Sequence, residues 1–165
     1  SFLPYRLSVL ANVTSNAIAA AYEERFGLTI PEWRVIAVLM RHPGLSAREV
    51  AEKSRMDAVA VSRAVNRLLR AGRLRRAVAA DDRRRSILQV SAAGAAVYRG
   101  VAPIALEFER SLLDPLSADA RAELDRLVDV LTQRAEILSV DLRVPKQSAR
   151  VPKARRLQTR RDPAR

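Results

Sequence analysis

The chain has 165 residues, 48% of them hydrophobic, enough for one domain with its own core or for a small domain with dimerisation arms. It holds no cysteine and one histidine, which excludes disulfides, thiol redox switches, thiolate metal sites and any His-rich metal site or catalytic dyad within one chain. Its formal net charge of +12 points to an acidic partner, most often nucleic acid and less often an anionic membrane.

The charge is unevenly spread. From Arg143 onward there are nine Lys or Arg against one Asp, a surplus of +8, which leaves only +4 for the body. No run reaches the ~18 apolar residues of a membrane span, and the start lacks a basic segment followed by an apolar one and a cleavage site. A cytoplasmic protein that does not enter membranes is expected. A glycine-rich phosphate loop, a nucleophile paired with a base and a metal-ligand spacing are all missing, so the sequence argues against an enzyme and calls for no cofactor.

Ser1 to Phe26 is rich in Leu, Val, Ala and Ile, with Pro4 near its start and Gly27 just past its end, the asymmetry of helix entry and exit. One long helix is expected. Leu7, Leu10, Val13, Ala17, Ala20 and Ala21 give it a broad stripe that either packs against a partner subunit or covers the chain's own core. Thr29 and Glu32 then form a capping box around Pro31 and open a short helix, Trp33 to His42, which Pro43 and Gly44 break. Trp33 reads as a core anchor, and His42 sits at the helix C-terminus. Ser46 and Glu49 make a second capping box for the helix Ser46 to Ser54. Ser54, Arg55 and Met56 make a tight corner before the next helix, the spacing of a helix-turn-helix, with Arg55 where many such turns carry Gly.

That next helix, Asp57 to about Gly72, has two faces. Val61, Ala64, Val65 and Leu68 recur at the i, i+3, i+4, i+7 spacing of a buried stripe. Val59, Ser62, Arg63, Asn66, Arg67 and Arg70 fall on the opposite face and are nearly all hydrogen-bonding or cationic, which suits a nucleic acid. Arg73 to Val90 follows as a hairpin: two short stretches of aliphatic and β-branched residues flank a charged turn. Asp81 and Asp82 favour the turn, and Arg83, Arg84 and Arg85 crowd near its tip. The arginines either pair with the two aspartates on a solvated loop or face an anion. Their position directly after a polar-faced helix favours the anion.

Ser91 is the expected N-cap of a helix reaching about Leu113, with a kink expected at Pro103. Ser117 caps a last amphipathic helix whose Leu124, Leu127, Val128, Leu131, Ala135 and Leu138 share one stripe. A stripe this regular needs a partner. The tail repeats Arg-Val-Pro-Lys at Arg143 and at Arg150, has few large apolar residues, and is expected to be disordered. It either binds phosphates without sequence preference or is a solvated extension.

The segment Leu45 to Arg76, with Val61-Ser62-Arg63 inside it, resembles the two-helix reader of the MarR family of bacterial transcription regulators. Asp82-x-Arg84 followed by an alternating strand and Ser91-x-x-Gly94 is similar to that family's wing signature. The resemblance covers about Leu7 to Leu138 and leaves out the tail. It implies a mainly α fold with a small β-hairpin wing: a winged helix-turn-helix domain at 29–90, a dimerisation region of N- and C-terminal helices at 1–28 and 91–142, and a basic tail at 143–165. Under it, double-stranded DNA is the partner of a homodimeric repressor that reads a pseudo-palindromic operator. Asp57, Val59, Ala60, Ser62, Arg63, Asn66 and Arg67 would lie in the major groove, and Asp82, Arg83, Arg84 and Arg85 would belong to the wing, with Arg84 in the minor groove. Leu7, Leu10, Leu124, Leu127, Leu131 and Leu138 would hold the dimer. Many members release DNA on binding a small, often aromatic and anionic, effector; Trp33, Arg34, Arg41 and His42 are the residues here that could line such a pocket. The rival expectation is a protein that binds nucleic acid or anionic membrane without sequence preference through its basic tail.

Overall fold

The computed structural model describes residues 2–78 and 86–141. The chain divides into two compact units, Ser1–Pro115 and Leu116–Arg165.

In the first unit, α1 (Leu3–Phe26) has Pro4 in its first turn and is closed by Gly27. Gly27 takes φ 58°, where glycine has no Cβ penalty, and its N–H donates to the Glu23 carbonyl at 2.7 Å. The two ends of α1 differ. Leu7, Leu10 and Val13 are exposed, whereas Ala19 and Tyr22 are buried, so the C-terminal end of the helix covers the chain's own core and the N-terminal half does not.

The next three helices are α2 (Ile30–Arg41), α3 (Ala47–Ser54) and α4 (Ala58–Arg70). The caps of α2 and α3 form where the sequence placed them. Thr29 donates its N–H and its hydroxyl to Glu32 Oε2 at 2.7 and 2.9 Å. Glu49 N–H donates to Ser46 Oγ at 3.3 Å, while Ser46 N–H donates back to Glu49 Oε2 at 2.7 Å. Each box satisfies N–H groups that the first helical turn leaves without an intrahelical partner. Arg55, between α3 and α4, adopts φ 53° and ψ 25°, the left-handed position that glycine often fills in such turns.

The core gathers the inward faces of these elements. Val35, Ile36 and Leu39 of α2 meet Val50 of α3 and Val61, Ala64, Val65 and Leu68 of α4. Full burial of such a side chain stabilises the fold by about 1.5–3 kcal/mol relative to exposure. The strands β1 (Leu74–Val78) and β2 (Ser86–Val90) pair antiparallel, from Leu74 opposite Val90 to Val78 opposite Ser86. Leu74 and Leu88 point into the core. The Leu88 N–H donates to the Leu45 carbonyl at 2.8 Å, which stitches the loop before α3 to β2.

α5 (Ala92–Leu113) closes the unit. The helix runs continuously with Pro103 inside it. Val101 of α5 is fully buried. Trp33 of α2 has its ring centroid 6.0 Å from that of Tyr22 and 5.6 Å from that of Tyr98, the latter pair stacked at 22°, so one aromatic contact set joins α1, α2 and α5. Trp33 is the core anchor the sequence suggested.

The second unit contains α6 (Ala118–Asp141). Ser117 Oγ accepts from Ala120 N–H at 3.2 Å, as expected of an N-cap. Arg126 donates from Nε and Nη2 to the two carboxylate oxygens of Glu123 at 2.7 and 2.6 Å. Leu124, Leu127, Val128, Leu131 and Leu138 are exposed. Among the described residues no helix is long and apolar enough to cross a membrane.

Candidate nucleic-acid interface

α4 is the centre of the site because its two faces are so sharply divided. Val61, Ala64, Val65 and Leu68 are at most 1% exposed, while Val59 is 56% exposed. Ser62, Arg63, Asn66, Arg67 and Arg70 are exposed with it, and Ala60 is half-buried at the edge of the two faces. With four apolar anchors fixing its rotation, the helix presents its polar face in one orientation.

Two of the predicted reader residues, Asp57 and Arg67, turn out to have duties within the fold. Asp57 is the N-cap: its Oδ1 accepts from the N–H groups of Val59 at 3.0 Å and Ala60 at 2.9 Å. An acidic cap also complements the positive end of the helix dipole. Arg67 reaches back to α2, where its Nε lies 3.2 Å from Glu32 Oε1. The Glu32 side chain is only 7% exposed, against 51% for that of Arg67. One carboxylate thus caps α2 through one oxygen and holds α4 through the other. Sequence reasoning found Glu32 as half of a capping box and missed this second partner, since no local spacing links residue 32 to residue 67. Val59, Ser62, Arg63 and Asn66 remain as the outward group with no such commitment to the fold.

The base of the wing is anchored at three points. Ser91 Oγ donates to the Gly72 carbonyl at 2.6 Å and accepts from Gly94 N–H at 3.1 Å, and Ser91 N–H donates to the Arg73 carbonyl at 3.0 Å. Gly94 is required by close approach. A Cβ there would lie 2.2 Å from the Arg73 carbonyl oxygen and 2.8 Å from Val90 Cγ1. Arg73 also donates from Nη2 to the Phe26 carbonyl at 2.6 Å, satisfying a C-terminal carbonyl of α1. These contacts hold the root of the hairpin against α4, α5 and α1. The predicted wing residues Asp82, Arg83, Arg84 and Arg85 lie outside the described residues, as do Asp81 and the tail at 143–165.

The four candidate effector residues do not converge. Arg41 and His42 line a cleft of about 320 Å³ together with Ala37, Val38 and Lys53. Neither Trp33 nor Arg34 lines it: Trp33 is packed between Tyr22 and Tyr98, and Arg34 donates to Ser15 Oγ of α1 at 2.9 Å.

The sequence model of the MarR family matches residues 26–85, the stretch from the end of α1 to the wing. A search of curated proteins finds no match. Among solved structures, a MarR/EmrR family transcriptional regulator from Acinetobacter sp. ADP1 superposes with a TM-score of 0.75 at 25% identity, over 81% of this chain and 94% of that one. The PcaV transcriptional regulator from Streptomyces coelicolor, solved in complex with its natural ligand, gives a TM-score of 0.65 at 28% identity, over 81% of this chain and 91% of that one. MepR from S. aureus, solved as a DNA complex, shares the fold with a TM-score of 0.71 at 20% identity, over 80% of this chain and 96% of that one. With its paired helices α3 and α4, its hairpin and its Ser91-x-x-Gly94 junction in place, the chain has a winged helix-turn-helix fold similar to that of MarR-family transcriptional regulators, and its residues 26–85 match that family's sequence model.

Proposed function

We propose that this chain is a homodimeric, sequence-specific DNA-binding repressor acting in the bacterial cytoplasm. What supports this most is the outward face of α4, where Val59, Ser62, Arg63 and Asn66 stand exposed on a helix whose other face is buried. The residue types suit base edges in a major groove. Arg63 can donate to guanine O6 and N7 or to a phosphate, Asn66 can pair with adenine N6 and N7, Ser62 can bond base or phosphate, and Val59 can touch a thymine methyl. Asp82 to Arg85 would bring the wing to the neighbouring minor groove, where arginine is the favoured cation.

Two copies are needed for specificity. The dimerisation region at 1–28 and 91–142 would carry the DNA-binding domain at 29–90, with exposed Leu7, Leu10, Leu124, Leu127, Leu131 and Leu138 supplying the apolar contact. Two-fold symmetry then calls for half-sites about one helical turn apart. The likeness to PcaV, solved with its natural ligand, supports release by a small effector. Footprinting the protein on its own upstream DNA, with and without small aromatic acids, tests the proposal; protection of a pseudo-palindrome supports it, and uniform protection of any duplex opposes it.

The surplus charge of the tail favours one other reading, binding to nucleic acid or anionic membrane without sequence preference. In that case binding survives Arg63→Ala and is lost on removing residues 143–165.

A further inference from the structure

α2 packs against α4, and across that contact a buried carboxylate meets an exposed cation. Glu32 is the one charged side chain buried among the described residues, and a charge carried that deep is costly unless it is paired. Its Oε2 accepts the Thr29 N–H and hydroxyl at 2.7 and 2.9 Å, which fixes the plane of the carboxylate and leaves Oε1 for α4. Arg67 Nε stands 3.2 Å from that oxygen, while the arginine side chain remains 51% exposed. Among the described residues that side chain has no second partner.

The place of Arg67 on its helix separates it from the other polar residues of α4. At about 100° per residue it lies at the edge of the polar face, roughly 40° nearer the buried stripe than Arg63 or Asn66. The tether to Glu32 draws the guanidinium toward α2. A helix about 10–12 Å across fills a major groove about 12 Å wide, so its outermost residues meet base edges and those at its flanks meet the sugar-phosphate walls. Arginine has five N–H donors and no acceptor. With Nε turned to Glu32, the two terminal NH2 groups are left, and together they form a fork that matches two oxygens of one phosphate. Because Glu32 orders the arginine in the free protein, its rotamer freedom is lost on folding and not on binding.

We propose that Glu32 is a positioning residue for DNA binding: it holds Arg67 so that the terminal NH2 groups clamp one backbone phosphate at the flank of each half-site. Arg67 then sets the register of α4 on the duplex and reads no base, which moves it out of the base-reading set in which the sequence placed it. This role rests on α4 lying in a major groove, as proposed above, and makes one DNA contact depend on the first turn of α2.

The test replaces single phosphates flanking each half-site, in turn, by neutral methylphosphonate in the protein's own upstream DNA. Full-length parent, Glu32→Gln, Arg67→Ala, Arg67→Lys and the double variant Glu32→Gln/Arg67→Ala are titrated below the lowest of their melting temperatures. The parent should lose about tenfold in affinity at one flanking position. Arg67→Ala should bind the unmodified duplex about tenfold more weakly and lose nothing further at that position. Glu32→Gln keeps an acceptor for Thr29 but removes the charge that holds Arg67, so the penalty there should shrink to about threefold or less. The double variant should bind like Arg67→Ala alone, because the two side chains act as one unit. A purely stabilising Glu32 predicts otherwise: Glu32→Gln melts lower but keeps the parent's penalty at that phosphate, which overturns the proposal. Tighter binding of every duplex by Glu32→Gln also overturns it, since the carboxylate would then compete with DNA for Arg67. If Glu32→Gln does not fold, Arg67→Lys decides, because it keeps the charge without the fork; loss of the flanking penalty supports the proposal and its retention overturns it. A parent with no preference for its own DNA fails the DNA-binding reading and this role with it. A parent that has the preference, but shows no phosphate whose penalty vanishes in Arg67→Ala, overturns this role alone.

Discussion

Arg63 and Arg67 sit one turn apart on the same face of α4 and have the same charge, yet the fold uses them differently. Arg67 is 3.2 Å from a nearly buried Glu32 carboxylate, and Arg63 is exposed with no ion-pair partner among the described residues. Arg67→Ala should therefore destabilise the protein by about 1–2 kcal/mol, less than for a fully buried pair because the arginine is half exposed. Arg63→Ala should leave the melting temperature unchanged, cost about 1–3 kcal/mol in DNA affinity and relax one base position. Thermal melts and binding titrations on the two variants separate the roles. Gly94→Ala sets a Cβ 2.2 Å from the Arg73 carbonyl oxygen, and because backbone must move, a loss of about 1–3 kcal/mol is expected in denaturant unfolding. Tyr22 supplies a pH test. Burial raises its hydroxyl to about 12, with Arg34 partly opposing and Glu23 adding a smaller rise. The neutral phenol is the form the fold favours, so its stabilising contribution is complete below about pH 10 and is lost as the pH rises from there toward about 12. An alkaline spectrophotometric titration should lose its last-ionising tyrosine in Tyr22→Phe.

Local signals made most of the elements legible in the sequence. Each cap is a contact between residues two or three apart, so Thr29 with Glu32, Ser46 with Glu49 and Ser91 with Gly94 were legible from spacing and are present in the structure; Asp57 caps α4 through Val59 and Ala60 at the same spacing, although it was expected in the major groove. Removing the cap of the reader helix with Asp57→Ala should cost about 1 kcal/mol and weaken DNA binding by loosening the first turn of α4, which circular dichroism melts and binding titrations can follow. The buried stripe of α4 was legible for the same reason. Long-range partners were not. Nothing in a sequence window announces that Glu32 will meet Arg67, that Arg73 will cap α1 through the Phe26 carbonyl, or that Leu45 will pair with β2. The candidate effector set failed to gather for this reason too: charge and aromaticity on α2 did not say which way each side chain would be drawn. A cleft of about 510 Å³ lined by Met40, Pro43, Arg75 and Val90 among others was equally invisible, because its lining comes from α2, a turn and both strands.

At the scale of the molecule, the exposed apolar residues of α1 and α6 are what the proposed dimer would cover. Leu7 and Leu10 are about half exposed, and Leu124, Leu127 and Leu131 are 39–46% exposed. Apolar stripes of this extent mark interaction surfaces. Replacing Leu127 and Leu131 together by Glu should shift the protein toward monomer in sedimentation experiments and weaken operator binding far more than it weakens the fold of residues 29–90. The charge distribution gives the remaining expectation, because a body of +4 cannot bind DNA tightly by charge alone while a tail of +8 can assist on any sequence. Under the proposed function, specificity then comes from the face of α4 and affinity partly from the tail. Competition binding at physiological salt tests this most directly, with the protein's own upstream DNA against random duplex of equal length. A sequence-specific regulator should prefer its own DNA by about 10³-fold or more and lose much of that preference in Arg63→Ala; equal affinity for the two duplexes would contradict the assignment of α4 as a reader of sequence.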